Sequence, residues 1–224
     1  MLDLGISTYH KASVKSTSRT KLNPSYWNHP FCVPFSEDIV PSSLFLKNRH
    51  FLIVDIETQN TFQDVGGPDK LHLLKISVAC AYDSKTDRFE SFLENELDRL
   101  FEFCYGRLVI GYNIKNFDLP VLAAYGLKLG RLDVFDIMTD VETLTRQRFI
   151  KLDYLTRGTL GALKSAEGLQ AVQWWKEGKI EEIREYCLKD VQLTRDLFQF
   201  GREKGFVKIQ RSDENVLQVP VQWN

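Results

Sequence analysis

The run Phe51-Leu-Ile-Val-Asp-Ile-Glu57 is short and β-rich, apolar except for two acids at alternate positions, and it constrains the chain more than any other stretch. Seven residues of this kind suit a buried strand and are too few for a core helix. Alternation along a strand puts Asp55 and Glu57 on one face, about 7 Å apart at the backbone, and leaves Leu52, Val54 and Ile56 to pack on the other. Two further strands are expected over residues 73–82 and 88–93, joined as a hairpin by Asp83-Ser84-Lys85-Thr86-Asp87. A helix over 94–105 would carry Leu97, Leu100, Phe101 and Cys104 on one face. A buried strand at 108–111, a helix at 119–125 and a strand at 131–137 follow. From Thr139 onward helical patterns dominate, ending in a long helix over about 179–204. Its Ile180, Ile183, Cys187, Val191, Thr194, Leu197 and Phe198 keep the three-and-four spacing of a helix face. Three early strands followed by helix–strand alternation predict an α/β domain, a mixed sheet with helices on its faces.

The ends of the chain read differently. Residues 1–45 form a basic and aromatic N-terminal extension. Lys11 to Lys21 is polar and basic, and Pro24, Pro30, Pro34 and Pro41 punctuate a strap carrying Tyr26, Trp27, Phe31 and Phe35. The domain itself is expected over 46–204, with 205–224 a C-terminal tail. Lys and Arg total 29 against 30 Asp and Glu, a formal charge of -1 in 224 residues. That balance argues against a protein that coats nucleic acid by bulk positive charge, without excluding a nucleic-acid enzyme. No apolar run approaches the roughly 20 residues of a membrane helix, so no membrane association is expected. The four cysteines, Cys32, Cys80, Cys104 and Cys187, form no CxxC pair and read as buried thiols in a reducing, cytoplasmic setting.

Three short motifs carry chemistry. Val54-Asp55-Ile56-Glu57-Thr58 ends the first strand, and its two carboxylates can hold one hard cation or two side by side; taken alone, such a pair is ordinarily a solvated strand end. Gly111-Tyr112-Asn113-Ile114-Lys115-Asn116-Phe117-Asp118-Leu119-Pro120 follows the strand at 108–111, with Asp118 near a helix start, where it could serve as an N-cap. Tyr186-Cys187-Leu188-Lys189-Asp190 lies in the long helix, and positions four apart bring Tyr186 and Asp190 to one site. Each motif alone is ordinary.

Together, Asp55, Glu57, Asn113, Phe117, Asp118, Tyr186 and Asp190 resemble the DEDD 3′–5′ exonucleases of the ribonuclease H-like superfamily. The resemblance covers roughly residues 50–204, with the motifs in family order. One branch of that family places a histidine five residues before its last aspartate. Here that position is Glu185, and no histidine follows His72, so the chain resembles the tyrosine branch, to which proofreading domains of DNA polymerases belong. The stretch Leu160-Gly161-Ala162-Leu163-Lys164, with Gly168-Leu169-Gln170 and Trp174-Trp175 after it, is similar to bacterial exonuclease-like domains, some attached to helicases.

The resemblance implies a three-layer ribonuclease H-like fold with a mixed five-stranded sheet. It implies catalysis by Asp55, Glu57, Asp118, Tyr186 and Asp190, with the four acids holding two divalent cations. Mg²⁺ or Mn²⁺ suits such oxygen ligands. Asp55, Glu57 and Asp190 would hold one ion, and Asp55 with Asp118 the other. Tyr186, a phenol too weakly acidic to be a strong base at neutral pH, would orient the attacking water. Thr58, Asn113 and Phe117 would lie beside the 3′-terminal nucleotide, although Phe117 could equally anchor the Asp118 turn. The loop 59–72, with Gly66-Gly67-Pro68, Lys70 and His72, could cover the cleft, and Trp174 or Trp175 could stack bases. The substrate expected is the 3′ end of single-stranded nucleic acid, DNA favoured over RNA, and a helicase or other processing protein is a candidate partner. A catalytically inactive nucleic-acid-binding or helicase-recruiting module is the competing reading, and an endonuclease or junction resolvase on the same fold is a third.

Overall fold

The structure is a computed structural model that describes residues 49–162 and 168–224. The basic arm and aromatic strap, together with Leu163 and Lys164, lie outside the described residues.

The run at 51–57 forms β1, Phe51–Thr58, the middle strand of a five-stranded sheet ordered β3-β2-β1-β4-β5. Its partners are β2 (Ile76–Asp83) and β4 (Leu108–Gly111), with β3 (Arg88–Leu93) and β5 (Asp133–Asp136) at the edges. The sheet is mixed: β1–β2 and β2–β3 pair antiparallel, whereas β1–β4 and β4–β5 pair parallel. Crossovers between parallel strands need helices, and these cover the faces. This is the architecture of the ribonuclease H-like fold.

Alternation along β1 divides the interior in two. Leu52, Val54 and Ile56 join a cluster on the face packed by α2 (Leu97–Cys104) and α3 (Asp118–Ala124), while Phe51 and Ile53 point into the other. A helical turn α1 (Phe62–Val65) lies in the loop after β1. The second face is covered by α4 (Ile137–Thr145), α5 (Leu152–Leu160), α6 (Gly168–Lys176) and the long α7 (Ile180–Lys204), which packs across β1 and β2. Among the described residues, no helix is long and apolar enough to cross a membrane. Cys80, Cys104 and Cys187 are buried and free.

The C-terminal residues differ from expectation. The segment read as a tail folds as a hairpin of β6 (Phe206–Ser212) and β7 (Asn215–Pro220), packed against α5 and α7. The reason is its apolar alternation: Val207, Ile209, Val219 and Val221 are buried in the second cluster. Beyond the hairpin, Trp223 is fully buried, stacked on Phe198 at 5.8 Å between ring centroids and edge-on to Phe135. Its indole N–H donates to Asp140 Oδ2 at 2.8 Å, which satisfies the polar edge of the ring. The ring also explains Gly201, where a Cβ would meet Trp223 carbons at 2.2 and 2.4 Å.

Trp223→Ala should cost about 3–5 kcal/mol in denaturant unfolding. Gly201→Ala should destabilise the wild type yet cost much less in the Trp223→Ala background, because the added methyl then enters the vacated space. Additive effects in that double-mutant cycle would show that the ring does not impose the glycine.

Candidate active site

The parallel ladder between β1 and β4 ends at Ile53↔Ile110, so β1 continues past its neighbour. Backbone groups beyond that point need other partners. Ile56 N–H finds one in Asp118 Oδ1, at 3.1 Å and 62 residues away in the chain. Asp118 is therefore not the N-cap considered from the sequence. It is the first residue of α3, Phe117 occupies the cap position, and no side chain caps the helix. Burial, with the Asp55 carboxylate second, raises the Asp118 carboxyl well above its ordinary range.

A register irregularity between Glu57 and Thr58 ends the regular pairing of β1 with β2, as bulges often do beside functional sites. On the face of β1 covered by α7, the carboxylates of Asp55, Glu57 and Asp190 converge, one oxygen from each lying within 4.8 Å of the others. Glu57 and Asp190 are buried, and Asp55 is partly exposed. The close seating of α7 depends on a small side chain: Cys187 Sγ lies 3.4 Å from the Asp55 carbonyl oxygen and 3.6 Å from Asp55 Oδ2. Burial raises its thiol well above the ordinary value, so it packs as a neutral group. Tyr186, on the same helix face as Asp190, is buried and meets Trp174 edge-on at 6.0 Å. Three carboxylates with all-oxygen donors suit a hard divalent cation.

The turn after β4 closes the site from below. A Cβ at Gly111 would meet Ile114 at 2.7 Å and the Val54 carbonyl oxygen at 3.0 Å, so glycine permits this turn to lie against β1. Asn113 holds a left-handed φ of 60°, a conformation asparagine tolerates better than most residues. Its N–H and that of Lys115 donate to the two carboxylate oxygens of Asp136, which also caps α4 by accepting from Thr139 N–H. Asp136 received no role from the sequence. Its position at the carboxyl end of a parallel strand, where α/β sheets build their sites, was the available signal.

These elements enclose a cleft of about 620 Å³. It is lined by the eight residues to which the resemblance assigns catalysis or contact with the terminal nucleotide: Asp55, Glu57, Thr58, Asn113, Phe117, Asp118, Tyr186 and Asp190. Phe117 both lines it and packs on the α2–α3 core, so the two readings of this ring are compatible. The loop after β1 borders the cleft through Asn60, Thr61, Phe62 and Gln63, whereas Lys70 and His72 do not line it. Phe62, exposed at the rim, meets Phe117 edge-to-face at 5.9 Å. Trp174 and Trp175 pack against the core instead of the cleft, and α6 lines it with Leu169 and Val172. Sequence reading missed Phe62 and Leu169 because nothing in their local pattern separates a rim residue from an ordinary surface apolar residue.

A family model described as 3′–5′ exonuclease matches residues 44–203. The chain belongs to this 3′–5′ exonuclease family. The match takes in all three acidic motifs and both faces of the sheet. A comparison with curated proteins gave no match.

Because folding raises the Asp118 carboxyl, the native state holds that proton more tightly than the unfolded chain. In the metal-free protein, stability should therefore fall as pH rises from the ordinary carboxylate range through the folded value, and recover on acidification. Asp118→Asn keeps an acceptor for Ile56 N–H and removes the buried charge. Thermal unfolding in chelator at neutral pH should show this variant melting a few degrees above wild type, with that component of the pH dependence lost. A lower melting temperature would mean that the charge is not a burden in the metal-free fold.

Proposed function

We propose that this exonuclease domain removes nucleotides from the 3′ end of single-stranded nucleic acid, DNA favoured over RNA, as a member of the tyrosine branch. The observation that carries the reading is the convergence of Asp55, Glu57 and Asp190 within 4.8 Å, in a cleft that Tyr186 and Asp118 also line. Asp55, Glu57 and Asp190 would hold one Mg²⁺ or Mn²⁺, and Asp55 with Asp118 a second. Bound there, such ions acidify water and stabilise charge on the attacking and leaving oxygens of a phosphodiester.

The chain's own residues do the positioning. Tyr186, edge-on to Trp174 and lining the cleft with the acids, would orient the attacking water through its hydroxyl. Asp118, tied to Ile56 N–H, lines the same cleft as the three clustered acids. Thr58, Asn113 and Phe117 surround the terminal nucleotide, with Phe62 and Leu169 excluding water at the rim. The domain proposed begins near residue 46 and takes in the β6–β7 hairpin and Trp223, whose apolar side chains belong to its core, with a basic extension over 1–45 before it in the sequence. A cytoplasmic setting is supported by the free thiols at Cys80, Cys104 and Cys187. The candidate partner, a helicase or other DNA- or RNA-processing protein, rests on the similarity of the stretch from Leu160 to Trp175.

The test is a product ladder from 5′-labelled single-stranded DNA and RNA with Mg²⁺ or Mn²⁺. A descending ladder is expected, favouring DNA, with a circular strand left intact. Asp55→Ala and Asp190→Ala should abolish both cleavage and calorimetric Mn²⁺ binding. Tyr186→Phe should bind metal like wild type and cleave about 10²-fold more slowly. Metal binding without nucleotide release would instead favour an inactive binding module, and cutting of the circle an endonuclease.

A further inference from the structure

Outside the cleft, the turn between α4 and α5 has a combination of features that the acid site does not use. Arg146 and Phe149 both hold left-handed backbone, at φ values of 55° and 57°. For a phenylalanine that conformation is costly, of order 1–3 kcal/mol, and needs a restraint. The restraint is Glu142, a buried carboxylate that accepts from Phe149 N–H at 2.6 Å and pairs with Arg148 at 3.4 Å. The fold thus fixes the backbone of this turn while leaving Phe149 87% exposed, flanked by the exposed Arg146, Arg148 and Lys151.

Two open grooves run beside this turn. One, of about 450 Å³, is lined by Asn116, Arg146, Gln147 and Arg148 among others. The other, of about 640 Å³, shares Gln147 and Arg148 and reaches the β6–β7 hairpin at Arg211 and the half-exposed Val216 and Leu217. Arg211 donates to Gln147 Oε1 at 2.9 Å, which fastens the hairpin to the turn. The first groove also adjoins the active cleft. Its Asn116 donates to Asn113 Oδ1 at 2.9 Å, and Asn113 lines the cleft. On the same side, the cleft-lining Tyr112 donates its hydroxyl to the Ile150 carbonyl. Among the residues lining the two grooves, Glu142 is the one carboxylate, and its charge is committed to holding the turn.

We infer that these grooves form a track for the single strand running 5′ from the cleft, with Phe149 as a base-stacking platform and Arg146, Arg148 and Arg211 as phosphate contacts. The inference rests on the exonuclease reading and adds to it where the body of the substrate lies. An exposed ring among guanidinium groups is the pairing that binds single strands without reading sequence: every base has a face to stack, and every linkage a charge to meet. A protein partner would leave unexplained why the basic groove adjoins a cleft built for a phosphodiester.

The test separates binding from cleavage. Fluorescence anisotropy of a labelled thymidine oligonucleotide of about fifteen nucleotides, in chelator, reads the track without hydrolysis. Phe149→Ala should weaken binding about tenfold and Phe149→Tyr should restore it. Arg146→Ala with Arg148→Ala should lower the slope of log affinity against log salt by about 1.4, the loss of two single-strand phosphate contacts. In cleavage assays with metal, the ratio of kcat/KM on that oligonucleotide to kcat/KM on a dinucleotide should fall in both variants. Wild-type affinity and salt slope in the alanine variants would overturn the track, as would failure of the wild-type protein to bind the oligonucleotide. Failure of the exonuclease reading is seen separately, as wild-type binding with no metal-dependent ladder.

Discussion

The arrangement depends on how closely α7 can lie on β1. A helix carrying large side chains would stand about 10 Å from a sheet, too far for its acids to meet acids on the strand. Here the contact residue is Cys187, whose sulfur rests against the Asp55 carbonyl oxygen. Cys80 on β2 is equally compact, and its sulfur lies 4.0 Å from the Arg184 carbonyl oxygen one turn earlier. With two small thiols at the crossing, Asp190 can join Asp55 and Glu57 while Tyr186 faces the same cleft. The price is electrostatic: three carboxylates packed together, with a fourth nearby at Asp118, repel one another unless cations or protons intervene.

The second constraint is the unequal length of β1 and β4. Because β1 continues past the end of its parallel neighbour, its last residues lack a strand on that side. The turn after β4 fills the gap, and Asp118, the first residue of the helix that follows it, takes the buried Ile56 N–H. Asp136 at the end of β5 then ties that turn through the amides of Asn113 and Lys115. Three parallel strands thus contribute to one site from their carboxyl ends, in chain order and from the centre of the sheet outward.

Much of this was legible in the sequence because its signals are local and periodic. The alternation in Phe51–Thr58, the hairpin at Asp83–Asp87 and the helical face of α7 each follow from spacing alone. The eight candidate site residues fell into one cleft because their motifs sit at strand ends and on one helix face, positions that a sheet topology brings together. What escaped was tertiary. The C-terminal segment has its own apolar alternation at Val207 and Ile209, yet following the long helix it reads as a tail, and the docking of Trp223 beside Gly201 is an anchor that no local spacing shows. Trp174 and Trp175 looked suited to bases, but the orientation of α6 turns them to the core and offers Leu169 instead. The left-handed backbone of Phe149 has no signature in composition.

The thiol contact between Cys187 and Asp55 joins residues 132 positions apart. Contacts of such separation form late, because most of the intervening chain must first be ordered. Before α7 settles, β1 presents two acids without their third partner, and afterwards the whole acid group exists at once. A newly made or partly unfolded chain consequently lacks the completed three-acid group. The acid group is thus a property of the finished fold, and local opening of α7 takes it apart again.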